Sequence, residues 1–373
     1  MDGFHQVYFA VMDEVRRRQA DTLAACGLGQ VECDCCVLAS GPHWRLRAYE
    51  PADGWASVLI VPAQIKRSYV WDIDPSRSVI RYCLEHGLAV YLLDWKPATC
   101  GYGPAGLEDY ADQAISECVA GVARGGRGQK PFLIGHSLGG TLAAMHAALH
   151  PQGLQGLVLI GAPLCFEPGV SRFRDSLVRL VPSTVPDTGV VPGSLLSQVS
   201  ALAAPRSFVW ERLMDAVLCT ADPSAMAIHA RVERWALDEV ALPGRLVHQI
   251  VRWLYHEDRF CRATLRIRNT EIGPSSLDVP ILALLNTADE IVPPASMMGF
   301  LDAIRDRNAS VISYAGEPGV GLQHLALLVG CKAYDQVWPG VIAWLKALRK
   351  GPSTDPRGIA CDGPKLCHTL DGQ

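Results

Sequence analysis

The amino-acid sequence predicts an α/β fold: a mostly parallel sheet with helices on both faces and a helical cap inserted into it. Three observations carry that prediction. Short, continuously apolar runs alternate with helical segments along most of the chain, the pattern left by strands buried on both faces. The alternation breaks from about Cys165 to Pro274, where helical patterns rich in Leu, Val, Arg and Trp replace strands. Finally, Gly135-His136-Ser137-Leu138-Gly139 stands between an apolar strand and a helix, the setting of a strained nucleophile elbow.

Each element follows from its own pattern. Residues 1–40 read as an N-terminal extension with a helix from Gln6 to Ala25, whose Arg16-Arg17-Arg18 suits a solvated face. The core, 41–164, opens with the alternating strand Trp44–Tyr49 and the continuously apolar strand Ser57–Val61. A helix from Pro75 to His86, stopped by Gly87, leads into the strand Leu88–Leu93, and a helix over Tyr110–Val122 follows. Lys130–Ile134 is the elbow strand, Thr141–Leu149 the helix after it, stopped by Pro151, and Gly156–Ile160 another buried strand. Residues 165–274 form the cap. The core resumes over 275–350 with the strand Val279–Leu285, a helix from Pro294 to Arg305, the strand Ala309–Tyr314 and a helix near Tyr334–Leu348. The tail, 351–373, has the Gly, Pro, Asp and Ser content of a disordered segment.

Composition excludes several classes of function. Hydrophobic residues at 49%, charged residues at 19% and a net charge of −4 leave no basic excess for nucleic acid or anionic lipid. The longest apolar runs are too short to span a bilayer, and the N-terminus lacks a secretory signal pattern, so a cytoplasmic enzyme is expected. Thirteen cysteines, odd in number and scattered through predicted strands and helices, read as reduced thiols rather than a disulfide framework. Cys33, Cys35 and Cys36 have no matching His/Cys pair downstream, so no metal is expected.

The chemistry follows from the elbow. A serine hydroxyl is a weak nucleophile, so Ser137 needs an imidazole to take its proton and an acid to orient that imidazole. The partners are expected in the order serine, acid, histidine. Asp289 follows a buried strand at the sheet edge where ligands bind, which makes it the expected acid, with Glu290 and Glu167 as weaker substitutes. His324, in the glycine-rich loop after the last strand, is the expected base. An oxyanion hole takes the N–H of Leu138 and one from the loop after Pro62, with Gln64 preferred and Ile65 the fallback. His136, Cys165 and Trp235 are candidates to line the substrate pocket.

Several stretches carry a family resemblance. Leu59-Ile60-Val61-Pro62, Tyr69 to Val79, Gly87 to Trp95, Val232 to Asp238 with Pro243-Gly244, and Asp289 to Pro294 resemble the polyhydroxyalkanoate synthases, above all their class III catalytic subunit. The likeness runs over about residues 40–348 and implies an α/β-hydrolase core with a helical cap. It also implies 3-hydroxyacyl thioesters of coenzyme A as substrates, Asp289 and His324 as acid and base, and a partner subunit, with homo-oligomers left open. An acyl-carrier thioester or an ester is an alternative substrate, and no cofactor is expected.

One difference bears on the chemistry: the synthases carry cysteine in the elbow, and this chain carries serine. An acyl-cysteine is a thioester that transfers downhill to an alcohol. Transfer from an acyl-serine is nearly isoenergetic, while hydrolysis stays favourable. The sequence therefore predicts a serine acyl hydrolase or acyltransferase, with polymer synthesis and an inactive scaffold or granule-associated protein as alternatives.

Overall fold

The computed structural model describes residues 3–50, 54–99, 104–125, 128–184, 187–304 and 308–350. The expected tail, 351–373, lies outside the described residues.

Eight strands form one sheet: β1 (Cys35–Ser40), β2 (Trp44–Tyr49), β3 (Ala56–Val61), β4 (Leu88–Trp95), β5 (Phe132–His136), β6 (Gly156–Ile160), β7 (Ile281–Asn286) and β8 (Ala309–Tyr314). Their spatial order is β1-β2-β4-β3-β5-β6-β7-β8. β2 runs antiparallel to both β1 and β4, and every later pairing is parallel. From β3 to β7 every strand residue is buried, which explains why those segments read as unbroken apolar runs. At the edge, β8 leaves Val311 42% exposed.

Helices cover the faces: α1 (Gly3–Leu23) at the N-terminus, α2 (Val79–Glu85), α3 (Ile115–Gly125) and α4 (Leu138–Leu149). The helix expected from Pro75 begins only at Val79. Asp74 accepts the Ser76 N–H at 2.9 Å, and this local turn closes a small hairpin of Asp72–Asp74 with Arg77–Ser78 in place of a first helical turn. Ser78 then caps α2, its hydroxyl accepting the Arg81 N–H at 2.9 Å.

Between β6 and β7 the chain forms α5 (Arg172–Leu180), α6 (Gly193–Ala203), α7 (Glu211–Cys219), α8 (Pro223–Leu237) and α9 (Gly244–Gln249). It is not purely helical: Val190–Val191 pairs with Leu242–Pro243, and Leu265–Ile267 with Thr270–Ile272. α10 (Ala295–Asp302) follows β7, its expected last residue Arg305 lying outside the described residues, and a helix over Trp338–Lys350 closes the fold. Among the described residues no helix is long and apolar enough to cross a membrane.

α1 packs on α6 and α8, and the arginine triple divides accordingly. Arg17 and Arg18 pair with Glu14 on the solvent face, whereas Arg16 turns inward to the buried Glu239 at 2.8 Å. Glu239 also holds Lys66 at 2.7 Å and the Ser197 hydroxyl at 3.0 Å, joining α1, the loop after β3 and the insertion.

Candidate active site

Ser137 sits between β5 and α4 with φ 55 and ψ −138, a conformation that non-glycine residues rarely adopt and that turns the side chain out of the strand-to-helix bend. The turn is locked from outside, because the Ser137 N–H donates to the Ile160 carbonyl of β6 at 3.0 Å. Gly139 is required by close approach: a Cβ there would stand 2.3 Å from the Val61 carbonyl oxygen and 2.4 Å from the Pro62 carbonyl carbon. The elbow is thereby pressed against the loop that carries Gln64 and Ile65.

Asp289 and His324 meet. The Asp289 carboxylate is buried and its Oδ2 lies 2.7 Å from His324 Nδ1. Its Oδ1 accepts the N–H groups of Ile291 and Val292 at 2.9 and 3.0 Å. Burial pushes the carboxyl's pKa up, but His324 and those two backbone donors outweigh it, and the net shift is downward. An ionised Asp289 makes Nδ1 the protonated nitrogen and leaves the Nε2 lone pair free. Nε2 is buried without a hydrogen-bond partner among the described residues. Glu290 and Glu167 are both exposed, and Glu290 pairs with Arg206 at 3.3 Å, so neither substitutes for Asp289.

Ser137, Leu138 and His324 line one cavity of about 760 Å³. Its walls are largely apolar, with Phe173, Leu177, Phe208 and Ile250 drawn from the insertion and Tyr8, Phe9 and Met12 from α1. Of the pocket candidates, His136 and Trp235 line the cavity and Cys165 does not. Cys165 points instead towards Cys261, and its backbone N–H donates to the Ser296 carbonyl of α10 at 2.8 Å. Ile65 also lines the cavity, whereas Gln64 is fully buried behind it, and both polar atoms of its amide are without a partner among the described residues.

The loop bearing His324 is held by His136 and by groups the sequence did not single out. His136 Nε2 lies 2.9 Å from the His324 carbonyl oxygen, which makes it the donor. Burial first, and the His324 charge second, push the His136 pKa down to about 3, so its ring is neutral at physiological pH. Asn286 Nδ2 donates to the Gln323 carbonyl at 2.7 Å. Asp215 on α7 accepts the N–H groups of Gly319 and Gly321 at 3.0 and 2.7 Å. Gly161 lies beneath the pair, and a Cβ on it would come within 3.5 Å of Asp289 Oδ2 and 3.6 Å of His324 Cε1. Tertiary contacts of this kind leave no periodic trace in a sequence.

A family profile described as alpha/beta hydrolase fold matches residues 57–317. The chain belongs to the α/β-hydrolase fold family. Within the family, it is 31% identical over 305 residues to the poly(3-hydroxyalkanoate) polymerase subunit PhaC of Haloferax mediterranei, a match covering 80% of this chain and 60% of the relative. It is 26% identical over 289 residues to the subunit of the same name from Thiocystis violacea, covering 77% of this chain and 80% of that one. The chain thus spans 60% of the length of the Haloferax relative. The crystal structure of the Paleococcus ferrophilus monoacylglycerol lipase aligns at a TM-score of 0.50 and 19% identity, covering 78% of this chain and 94% of that one, a likeness of fold alone. As an α/β-hydrolase related to polymerase subunits, the protein is an enzyme of that superfamily.

Proposed function

We propose that this α/β-hydrolase is a cytoplasmic serine acyl hydrolase or acyltransferase that takes an acyl group, a 3-hydroxyacyl group foremost, from a thioester or ester onto Ser137. The observation that carries the reading is the Asp289–His324 contact at 2.7 Å, with His324 lining the same apolar cavity as the strained Ser137.

In the first half-reaction, His324 Nε2 takes the Ser137 proton as Oγ attacks the acyl carbonyl, and Asp289 stabilises the imidazolium. The tetrahedral oxyanion is held by the Leu138 N–H and one from the loop after Pro62. Ile65, on the cavity wall, is better supported than Gln64 behind it. His324 then returns its proton to the leaving thiol or alcohol, and in the second half-reaction it activates water or an acceptor hydroxyl. The insertion acts as a cap whose apolar wall, with Trp235, takes the acyl chain. This chemistry needs no cofactor, and coenzyme A enters only as part of a substrate.

Polymer synthesis with a partner subunit is the second reading, favoured by the names of the relatives. The serine oxoester argues against it, since a thioester drives transfer to a hydroxyl and an oxoester does not. Two measurements test the assignments. A fluorophosphonate is expected to label the wild type and not Ser137→Ala, and equal labelling of both proteins sinks the serine assignment. Incubation with 3-hydroxybutyryl-CoA is expected to release the free acid, whereas high-mass polyester favours the polymerase.

A further inference from the structure

Cys165 lies where the chain leaves β6 for the insertion, and Cys261 where the insertion turns back towards β7. Their Sγ atoms approach to 2.7 Å. The backbone on the Cys165 side is already fixed: the Cys165 N–H donates to the Ser296 carbonyl at 2.8 Å, and the Phe166 N–H to Asp258 Oδ1 at 2.9 Å. Asp258 therefore ties the two roots together without a covalent bond, and its Oδ2 lies 3.9 Å from Cys165 Sγ. The three side chains form the one His, Cys, Asp or Glu group of metal-ligand proximity among the described residues. Two thiolates that share a tetrahedral zinc, each at about 2.3 Å, stand roughly 3.8 Å apart. The observed pair is closer than that, which favours a direct bond between the sulfurs over a shared ion.

We propose that Cys165 and Cys261 are a redox pair that forms a reversible disulfide across the base of the insertion, with a hydroperoxide as the oxidant. The Cys165 sulfur attacks one oxygen of the hydroperoxide and breaks the O–O bond, giving a sulfenic acid and, after protonation, water from hydrogen peroxide. Cys261 then loses its proton, and its sulfur displaces hydroxide from the Cys165 sulfenic acid. The hydroxide takes up that proton and leaves as a second water. Two thiols and one hydrogen peroxide thus become one disulfide and two waters, each sulfur being oxidised by one electron.

The electrostatics fit this order. Hydrogen bonding from Cys261 pulls the Cys165 thiol below its ordinary pKa, while the same bond pushes Cys261 upward. Burial pushes the Asp258 carboxyl up to about 6, so at neutral pH it is a carboxylate placed to take the Cys165 thiol proton and return it to the oxygen that departs as the first water. Cys165 is buried and Cys261 only partly so, which leaves the reagent an approach from the Cys261 side. The bond closes a long loop that contains α5 to α9 and lowers the entropy of the unfolded chain.

The test uses the full-length protein. After hydrogen peroxide treatment and maleimide blocking, non-reducing peptide mass mapping is expected to find a Cys165–Cys261 linked peptide that disappears with dithiothreitol. The oxidised protein is expected to melt several degrees higher than the reduced one, a difference absent in Cys261→Ser. Recovery of both cysteines as separate maleimide adducts overturns the proposal on the wild type alone, even if a variant fails to fold. So does a stoichiometric metal in the purified protein that is lost in Cys261→Ser.

Discussion

Ser137 is held by backbone that its sequence neighbours dictate, whereas His324 is held by side chains from far along the chain. At the elbow, β5, Ser137 and α4 are consecutive, and a single cross-strand bond to Ile160 completes the turn. The His324 loop instead takes Asp289 from 35 residues away, the Gly319 and Gly321 clamp of Asp215 from 104 and 106, and His136 from 188. The nucleophile is preset by local geometry, and the base is placed by tertiary structure. Disturbing α7 or β7 should therefore move His324 while leaving the elbow intact.

The largest expected effect tests the orienting acid. Asp289→Asn preserves shape but removes the charge that fixes the His324 tautomer, so turnover of an acyl ester is expected to fall by about 10³–10⁴-fold. Circular dichroism is expected to stay unchanged, and a loss of less than about tenfold would take Asp289 out of the machinery. A smaller effect is expected from Asp215→Asn, which loses one of two charge-assisted bonds to the loop. Such a bond contributes about 1.5–3 kcal/mol, and if the loss appears in placement of the base, kcat drops roughly 10- to 100-fold with KM little changed. Leu218→Ser, on the exposed outer face of α7, is the matched control and is expected to leave kcat as it was. Equal losses in both α7 variants would mean that the helix matters for stability, not for the loop.

The same contrast decides what was legible in the sequence. The elbow could be read because strand, glycine, serine, glycine and helix are adjacent. Asp289 and His324 could be placed because each follows a core strand, and the structure brings the two side chains together at 2.7 Å. The Asp215 clamp could not be read, since an acidic residue on a helix looks the same whether it faces water or a loop 104 residues away, and Glu239, just past the end of α8, carries no sign in the sequence of its burial. Cys165 lies away from the pocket, which the sequence could not show, because proximity to the end of a strand does not say which way a side chain points. The Pro75 helix start failed for a local reason: the Asp74 side chain competes successfully for the Ser76 N–H.

The smallest expected effect concerns stability and reaches the elbow side of the comparison through His136. Burial first, and a neighbouring histidine second, push both His136 and His146 from the ordinary 6.5 down to about 3. Below pH 6.5 the unfolded chain therefore takes up protons that the folded chain refuses at these two sites. Folding weakens as pH falls from 6.5 towards 3, by up to about 1.4 kcal/mol per pH unit for each histidine. Asp289 titrates below its ordinary 3.8 in the folded state and adds little to the change between pH 7 and 5.5. Urea unfolding at those two pH values is expected to show a clear loss in the wild type and a smaller one in His136→Gln and in His146→Gln. Identical pH slopes in all three proteins would show that neither buried ring is held neutral, and the His136 contact to the His324 carbonyl would then have to be read as one made by a charged donor.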